Sequence, residues 1–243
     1  MDWTWIGLGV FILCGFTLEV ISGFGGTVIA LALGALVLPI ATLVPVLVPL
    51  SMTLGLAMAW RHRGHIDRHL LLRVVLPGMA AGTVLGYVLK PWLNESLMRQ
   101  VFGVLIVWFA ARALWRTHRA VPLAPRPVWL TQTLITLAGI THGLFASGGP
   151  LLVYALSGLP LNKARFRMTL IVVWLALDSG LTLAFWLDGR LGRALPMVGA
   201  YLPVIGAGWW LGEWLHHRVS EARFRTLTAA VLLVTGCLLV WPR

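Results

Sequence analysis

Three ionisable residues lie inside long apolar stretches of this chain. Glu19 and His142 each precede a glycine-rich sequence by a few residues, and Asp178 lies within the apolar run 166–187. Ionisable groups at membrane depth are rare and mark ion or substrate pathways. We expect Glu19 and Asp178 to carry a coupling proton and His142 to contribute to ligand binding. The alternative for each is a structural role, as a hydrogen-bonding partner of freed backbone groups.

Two glycine-rich breaks, at 22–27 and 145–150, interrupt the apolar stretches. A helix that starts at such a break exposes free backbone N–H groups and the positive end of its dipole. Two breaks that face each other, with nearby hydroxyl groups, would form a cradle for a small anion. Close helix packing, which glycine also allows, is the alternative. The expected binding residues at the breaks are Ser22, Gly25, Gly26, Thr27, Ser147, Gly148 and Gly149.

The composition indicates an integral membrane protein. The 243 residues are 59% hydrophobic and 11% charged, with a mean hydropathy of +0.88, which exceeds what a soluble domain can bury. The net charge of +11 comes from Lys and Arg in short gaps between apolar runs, which indicates juxtamembrane flanks and argues against nucleic-acid binding. No HExxH, P-loop or G-x-S-x-G motif occurs, so we expect no catalytic residue, cofactor or metal site.

The apolar runs predict an all-α protein with ten segments. Two of them, 26–38 and 149–160, are shorter than the roughly 20 residues that a full span needs and are interpreted as half-helices. The other segments are 4–21, 42–60, 70–89, 97–114, 128–145, 166–187, 194–214 and 222–241.

The two halves of the chain resemble each other. Leu-Gly-Tyr at 85–87 is echoed by Leu-Gly-Glu at 211–213, and three residues recur 126 positions later: Pro77, Gly82 and Gly86 as Pro203, Gly208 and Gly212. We therefore predict a first repeat at 1–115, a basic cytoplasmic linker at 116–127 and a second repeat at 128–243. If each half is organised as two segments plus three, it crosses the membrane an odd number of times, so the second repeat is expected to be inverted.

Charge sets the predicted orientation. With the N-terminus outside, the gaps 61–73, 112–126, 163–167 and 218–225 face the cytoplasm and hold 14 of the 19 basic residues, which satisfies the positive-inside rule. Seven tryptophans near segment ends predict interfacial belts: Trp3, Trp60, Trp92, Trp115, Trp129, Trp186 and Trp241. Glu213 is expected to reach the interface, and His62 to lie in a solvated loop rather than a metal site.

These features resemble the sulfite exporter TauE/SafE family, also called the toluene sulfonate uptake permeases. The resemblance rests on short glycine motifs: Gly23-Phe24-Gly25-Gly26 with Pro39, Ser147-Gly148-Gly149 with Pro160, Gly64-His65-Ile66-Asp67, and the Gly82–Gly86 and Gly208–Gly212 pairs. The triple glycine typical of the family is reduced here to Gly-Gly-Thr and Gly-Gly-Pro. The resemblance implies transport of sulfur oxyanions or organosulfonates across the bacterial inner membrane, driven by an ion gradient.

The sequence therefore predicts a multi-pass secondary transporter of a small anion in the bacterial inner (cell) membrane, working by alternating access. The coupling ion is a proton or sodium, the bilayer is its environment, and a homodimer is compatible with the sequence. Two alternatives stay open: a cation carrier or channel that uses Glu19 and Asp178, and a membrane-embedded enzyme that uses His142 and Asp178.

Overall fold

The computed structural model describes residues 3–119, 127–156, 163–216 and 221–241. Over these ranges the chain forms ten α-helices and no strand, which confirms the predicted all-α class. The helices are α1 (Trp3–Ser22), α2 (Gly26–Gly34), α3 (Ile40–Arg61), α4 (Leu76–Leu89), α5 (Glu95–Arg119), α6 (Val128–Phe145), α7 (Gly149–Leu156), α8 (Lys163–Leu187), α9 (Arg190–His216) and α10 (Glu221–Val240).

The two short segments are short helices. At 1.5 Å per residue, the nine residues of α2 and the eight of α7 reach about 12–14 Å, less than half of a bilayer core. α2 ends at Gly34, earlier than predicted, because the chain turns before Pro39, whose extended backbone precedes α3. The end of the predicted segment 149–160, with Pro160, lies outside the described residues, as does most of the predicted linker 116–127.

Seven helices of the described chain are long and apolar enough to cross a membrane: α1, α3, α4 with the π-helical turn Leu70–Val75 that precedes it, α5, α6, α8 and α9. The seven tryptophans near segment ends are all more than half exposed, as an interfacial position requires. α2 is buried along almost its whole length, and α3 is the most buried of the seven long helices. The short and central helices therefore form the interior, and the others enclose them.

The helix pairs follow the two predicted halves in a symmetric way. The first helix of each half packs along the fourth helix of the other half, so α1 contacts α9 and α6 contacts α4. The third helices, α3 and α8, contact each other, as do the fifth helices, α5 and α10. Exchange of the two halves leaves this set of pairs unchanged. The inverted orientation of the halves in a membrane stays a prediction.

Glycine allows the backbones of α4 and α6 to touch. A Cβ atom at Gly82 would overlap the carbonyl oxygen of Thr136, and one at Gly86 would overlap that of Ile140. The contact is reciprocal, since a Cβ at Gly143 would overlap the carbonyl oxygen of Thr83. Small residues that bring backbones together are the usual basis of helix association in membranes. At the equivalent α1–α9 contact, Gly212 lies against Val20.

We expect Gly82→Ala to lower the stability of the protein by about 1–3 kcal/mol, because the new methyl group forces α4 away from α6. The matched control is Gly199→Ala in α9, where no atom lies within 4 Å of the added Cβ. The measurement is the thermal unfolding midpoint of each purified variant in detergent. Equal midpoints for the two variants would contradict the close backbone contact.

Candidate functional site

The first break is a turn that reverses the backbone between α1 and α2. Gly23 and Gly25 have φ angles of 86° and 103°, a left-handed region that glycine enters without strain. The carboxylate of Glu19, one turn before the end of α1, accepts a hydrogen bond from the backbone N–H of Gly26 at 3.0 Å. This carboxylate therefore occupies the positive N-terminal end of α2, where an anion is favoured.

Ser22 stabilises the turn and does not line the cavity described below. Its Oγ lies 2.9 Å from the carbonyl oxygen of Leu18 and 2.8 Å from that of Phe24. Thr27, in the first turn of α2, lies on the other side of the break and does line the cavity.

The second break has a different local structure. α6 ends at Phe145, and the backbone N–H of Ala146 donates a hydrogen bond of 2.6 Å to the carbonyl oxygen of His142. Ala146 has a φ of 52°, and it is the one non-glycine residue of the described chain with a positive φ. This left-handed conformation costs about 1–2 kcal/mol for a residue with a Cβ. α7 then begins at Gly149, followed by Pro150, a residue suited to the first turn of a helix.

A buried histidine–aspartate pair lies beside the second break. Nε2 of His142 is 3.2 Å from Oδ1 of Asp178, and both side chains are 2% exposed. The contact is close in distance but poorly aligned, so these two atoms form no hydrogen bond with each other or with another described residue. The ring of His142 also stacks on that of Trp174, with centroids 5.6 Å apart and planes inclined by 24°.

Trp174 connects the pair to the first break. Its Nε1 donates a hydrogen bond of 3.0 Å to the carbonyl oxygen of Gly23. One side chain of α8 therefore touches His142 near the second break and binds a backbone group of the first break. The sequence analysis did not identify Trp174 as a site residue. Its spacing of four residues from Asp178, which places both on one face of a helix, is the signal that could have identified it.

The two breaks and the three ionisable residues meet at one small cavity. Its lining residues are Glu19, Gly25, Thr27, Val28, Ser51, His142, Ala146, Ser147, Gly148, Gly149, Trp174 and Asp178. About 20 Å³ of this cavity is open to the centre of a water molecule, which is room for about one water. None of these lining residues is Lys or Arg.

The structure thus gathers most of the residues that the sequence singled out. Only Ser22 and Gly26 do not line the cavity, and Gly26 reaches it through its hydrogen bond to Glu19. Ser51, on α3 and 2% exposed, is a lining residue that the sequence analysis did not identify. A serine in an apolar helix gives no indication of which side of the helix faces the cavity.

Comparison with known proteins agrees with this architecture. The sequence matches the family described as "Sulfite exporter TauE/SafE" over residues 7–239. It is 28% identical over 166 residues to the "Probable inner membrane transporter protein TsaS" of Comamonas testosteroni, covering 67% of this chain and 68% of that protein. It is 24% identical over 244 residues to the "Probable sulfite/organosulfonate exporter TauE" of Cupriavidus necator, covering 98% and 94%. No solved structure matches the chain.

The fold and the cavity define a multi-pass membrane protein with a small polar site between two helix breaks. The chain belongs to the sulfite exporter TauE/SafE family, which confirms the resemblance of its motifs. It is therefore a transporter of the inner membrane and not an enzyme, so the alternative of a membrane-embedded enzyme is excluded.

Gly26 and Gly149, the first residues of α2 and α7, differ in their tolerance of a methyl group, which leads to a direct test. A Cβ at Gly26 would overlap Oε2 of Glu19 and lie 2.9 Å from Cδ1 of Phe16, whereas a Cβ at Gly149 would find its nearest neighbour, in Phe24, at 3.5 Å. We expect Gly26→Ala to lower the free energy of unfolding by about 1–3 kcal/mol, because Glu19 must release the Gly26 N–H. Gly149→Ala should stay within about 0.5 kcal/mol of the wild type.

Thermal unfolding of the two purified variants in detergent gives the comparison. Equal loss of stability in both variants would show that the Glu19 contact with Gly26 does not hold the first break.

Proposed function

We propose that this protein is a secondary transporter that moves a small sulfur oxyanion or organosulfonate across the inner membrane by alternating access. The observation that carries the proposal is the convergence of both helix breaks on one polar cavity within a TauE/SafE fold. The relative from Cupriavidus necator is named a probable sulfite/organosulfonate exporter, which supports this substrate class.

The size of the cavity bears on the mechanism. Room for about one water cannot hold a sulfonate, whose sulfur and three oxygens alone exceed that volume. Substrate binding therefore requires the elements around the cavity to separate. Such a widening from one side at a time is alternating access, in which one bundle of helices moves against another about a fixed site between broken helices.

Competition between Glu19 and the substrate provides the coupling. The carboxylate of Glu19 accepts the Gly26 N–H, one of the free donors that an anion at the start of α2 would use. Two anions at one helix terminus repel each other, so the substrate binds best when Glu19 is protonated. Thr27, Ser51 and Ser147 line the same cavity and supply hydroxyl groups for the remaining substrate oxygens.

The pair of His142 and Asp178 is the second proton site in this proposal. Both side chains are buried, lie 3.2 Å apart and face the same cavity as Glu19. A proton that binds here changes the charge beside the second break, just as a proton on Glu19 changes it beside the first. We therefore propose a proton as the coupling ion.

One observation favours a second candidate, a cation carrier. The lining contains the carboxylates of Glu19 and Asp178 and the imidazole of His142, and it contains no Lys or Arg. Carboxylates, hydroxyls and backbone carbonyls are the ligands that hard cations prefer. In that case the two carboxylates are ligands, and their amide variants abolish binding at every pH.

The transport proposal is tested in proteoliposomes loaded with buffer of a defined pH. We expect radiolabelled sulfite and methanesulfonate to cross the membrane faster through the wild-type protein than in protein-free vesicles. We also expect a pH gradient alone to drive accumulation. Absence of transport and of binding for both anions would exclude the proposed substrate class, and accumulation that follows a sodium gradient instead would replace the proton as coupling ion.

The role of Glu19 is tested by Glu19→Gln, with Glu95→Gln as the matched control. Glu95 also accepts a backbone N–H at the start of a helix, from Ile40 at 2.7 Å, but it lies outside the cavity. We expect wild-type affinity for methanesulfonate, whose own charge is constant, to rise as the pH falls. Glu19→Gln should bind more tightly than the wild type at high pH and show a flatter pH profile, because the repelling charge of Glu19 is gone.

Equilibrium binding of methanesulfonate in detergent at several pH values is the measurement. Glu95→Gln should keep the wild-type pH profile. A Glu19→Gln profile that is as steep as that of the wild type would remove Glu19 from the coupling mechanism, and loss of all methanesulfonate binding would contradict repulsion between Glu19 and the substrate.

A further inference from the structure

A polar cluster lies at the end of the protein at which α8 begins. Nη2 of Arg167 lies 3.2 Å from Oε1 of Glu213, and the same oxygen lies 3.7 Å from Nε2 of His62. The three residues come from α8, α9 and the end of α3. Nε of Arg167 is buried and has no hydrogen-bond partner among the described residues. The guanidinium group thus keeps a strong donor unused.

Arg167 lies directly against the first break. A Cβ at Gly23 would be 3.0 Å from both Cα and Cγ of Arg167. Arg167, Trp174 and Asp178 follow one another along α8 at intervals of seven and four residues, so they share one face of the helix. At 1.5 Å per residue, Arg167 is about 10 Å along the axis from Trp174, a lining residue of the cavity.

Glu213 is the more accessible partner of this ion pair. Its side chain is 30% exposed, against 14% for that of Arg167. Water and salt screen the exposed part of Glu213, so its carboxylate is the partner that another anion can displace. An anion with several oxygens, such as a sulfonate, can take the place of the carboxylate and also bind the unused Nε donor, since a guanidinium group binds such anions through two parallel hydrogen bonds.

We propose that Arg167 is an anion-binding residue at the entrance of the transport path. Its guanidinium group pairs with Glu213 while this end is closed, and it binds the substrate when this end opens. The inference rests on the proposed function and deepens it, because it adds a cationic contact to a cavity whose lining has none. The anion meets Arg167 first and then passes along the face of α8 to the breaks.

A second polar cluster, at the other end of α8, differs from the Arg167 cluster in its hydrogen bonds. Nε of Arg190 donates to Asp188 at 2.8 Å, its Nη2 donates to the hydroxyl of Tyr87 at 2.7 Å, and its guanidinium packs on the ring of Phe185 at 4.7 Å. The hydrogen bonds from Arg190 hold the pKa of Asp188 well below its usual range. Nε of Arg190 thus has a hydrogen-bond partner, whereas Nε of Arg167 has none among the described residues.

The two clusters also occupy corresponding places in the predicted repeat. Tyr87 and Glu213 are the third residues of the related Leu-Gly-Tyr and Leu-Gly-Glu sequences, and each joins the two halves of the chain at one end of α8. Each half thus contributes one residue of this pair of clusters, and the cluster with Glu213 is the one that contains Arg167 and its unused Nε donor.

The test uses opposite charge changes at the two partners. We expect Arg167→Gln to raise KM for methanesulfonate and sulfite about tenfold or more, which is the usual contribution of a charge-assisted hydrogen bond. The KM of Arg167→Lys should lie between those of the wild type and Arg167→Gln. Glu213→Gln should lower KM about two- to fivefold, because the competing carboxylate is gone. The control is Arg165→Gln, an exposed arginine two residues earlier on α8, which should keep the wild-type KM.

Transport kinetics in proteoliposomes and methanesulfonate binding in detergent are measured on the same preparations. A lower KM in Glu213→Gln cannot arise from damage to the fold, so it supports the inference even if Arg167→Gln is unstable. Wild-type transport with an unchanged KM in Arg167→Lys and Glu213→Gln overturns the role of Arg167 alone. A wild-type protein that neither binds nor transports the two anions overturns the proposed function and this inference with it.

Discussion

The structure depends on one constraint, which is that backbone groups freed inside an apolar interior must find partners within the protein. Each helix break exposes N–H and carbonyl groups that lipid cannot satisfy. At the first break the carboxylate of Glu19 accepts the Gly26 N–H, and the indole of Trp174 donates to the Gly23 carbonyl. Both side chains also line the cavity. The groups that make the break tolerable are thus the groups that give the site its polarity.

The two breaks satisfy this constraint differently, although the sequence suggests equivalent positions. The first is held by a charged side chain at the start of α2. The second is held by the left-handed Ala146, whose N–H bonds to the last turn of α6. A hydrogen bond to a carboxylate responds to protonation, and backbone strain does not. The chemical sensitivity of the site is therefore concentrated at the first break and at the neighbouring His142–Asp178 pair.

Local signals explain why much of the fold could be predicted. The lengths of the apolar runs and the positions of glycine and proline indicated the ten helices, including the two short ones. Glu19 and Asp178 stood out because charge is rare in such runs. Ser51 and Trp174 did not, because their types are common in apolar helices and only the packing of α3 and α8 around the breaks turns them to the cavity.

Charged residues near helix ends were harder to interpret for the same reason. Glu213 was expected to reach the interface and His62 to lie in a solvated loop. In the structure Glu213 contacts both Arg167 and His62, because the end of α3, the start of α8 and the end of α9 converge. Convergence of three elements that are distant in sequence is a property of tertiary structure, and no local pattern encodes it.

The glycine contacts between α4 and α6 have a consequence for how such a molecule can change shape. Backbones that touch without intervening side chains cannot slide or tilt past each other without steric overlap, so we expect α4 and α6 to move together. α4 belongs to the first half of the chain and α6 to the second. A motion that widens the cavity must therefore keep this contact between the halves intact.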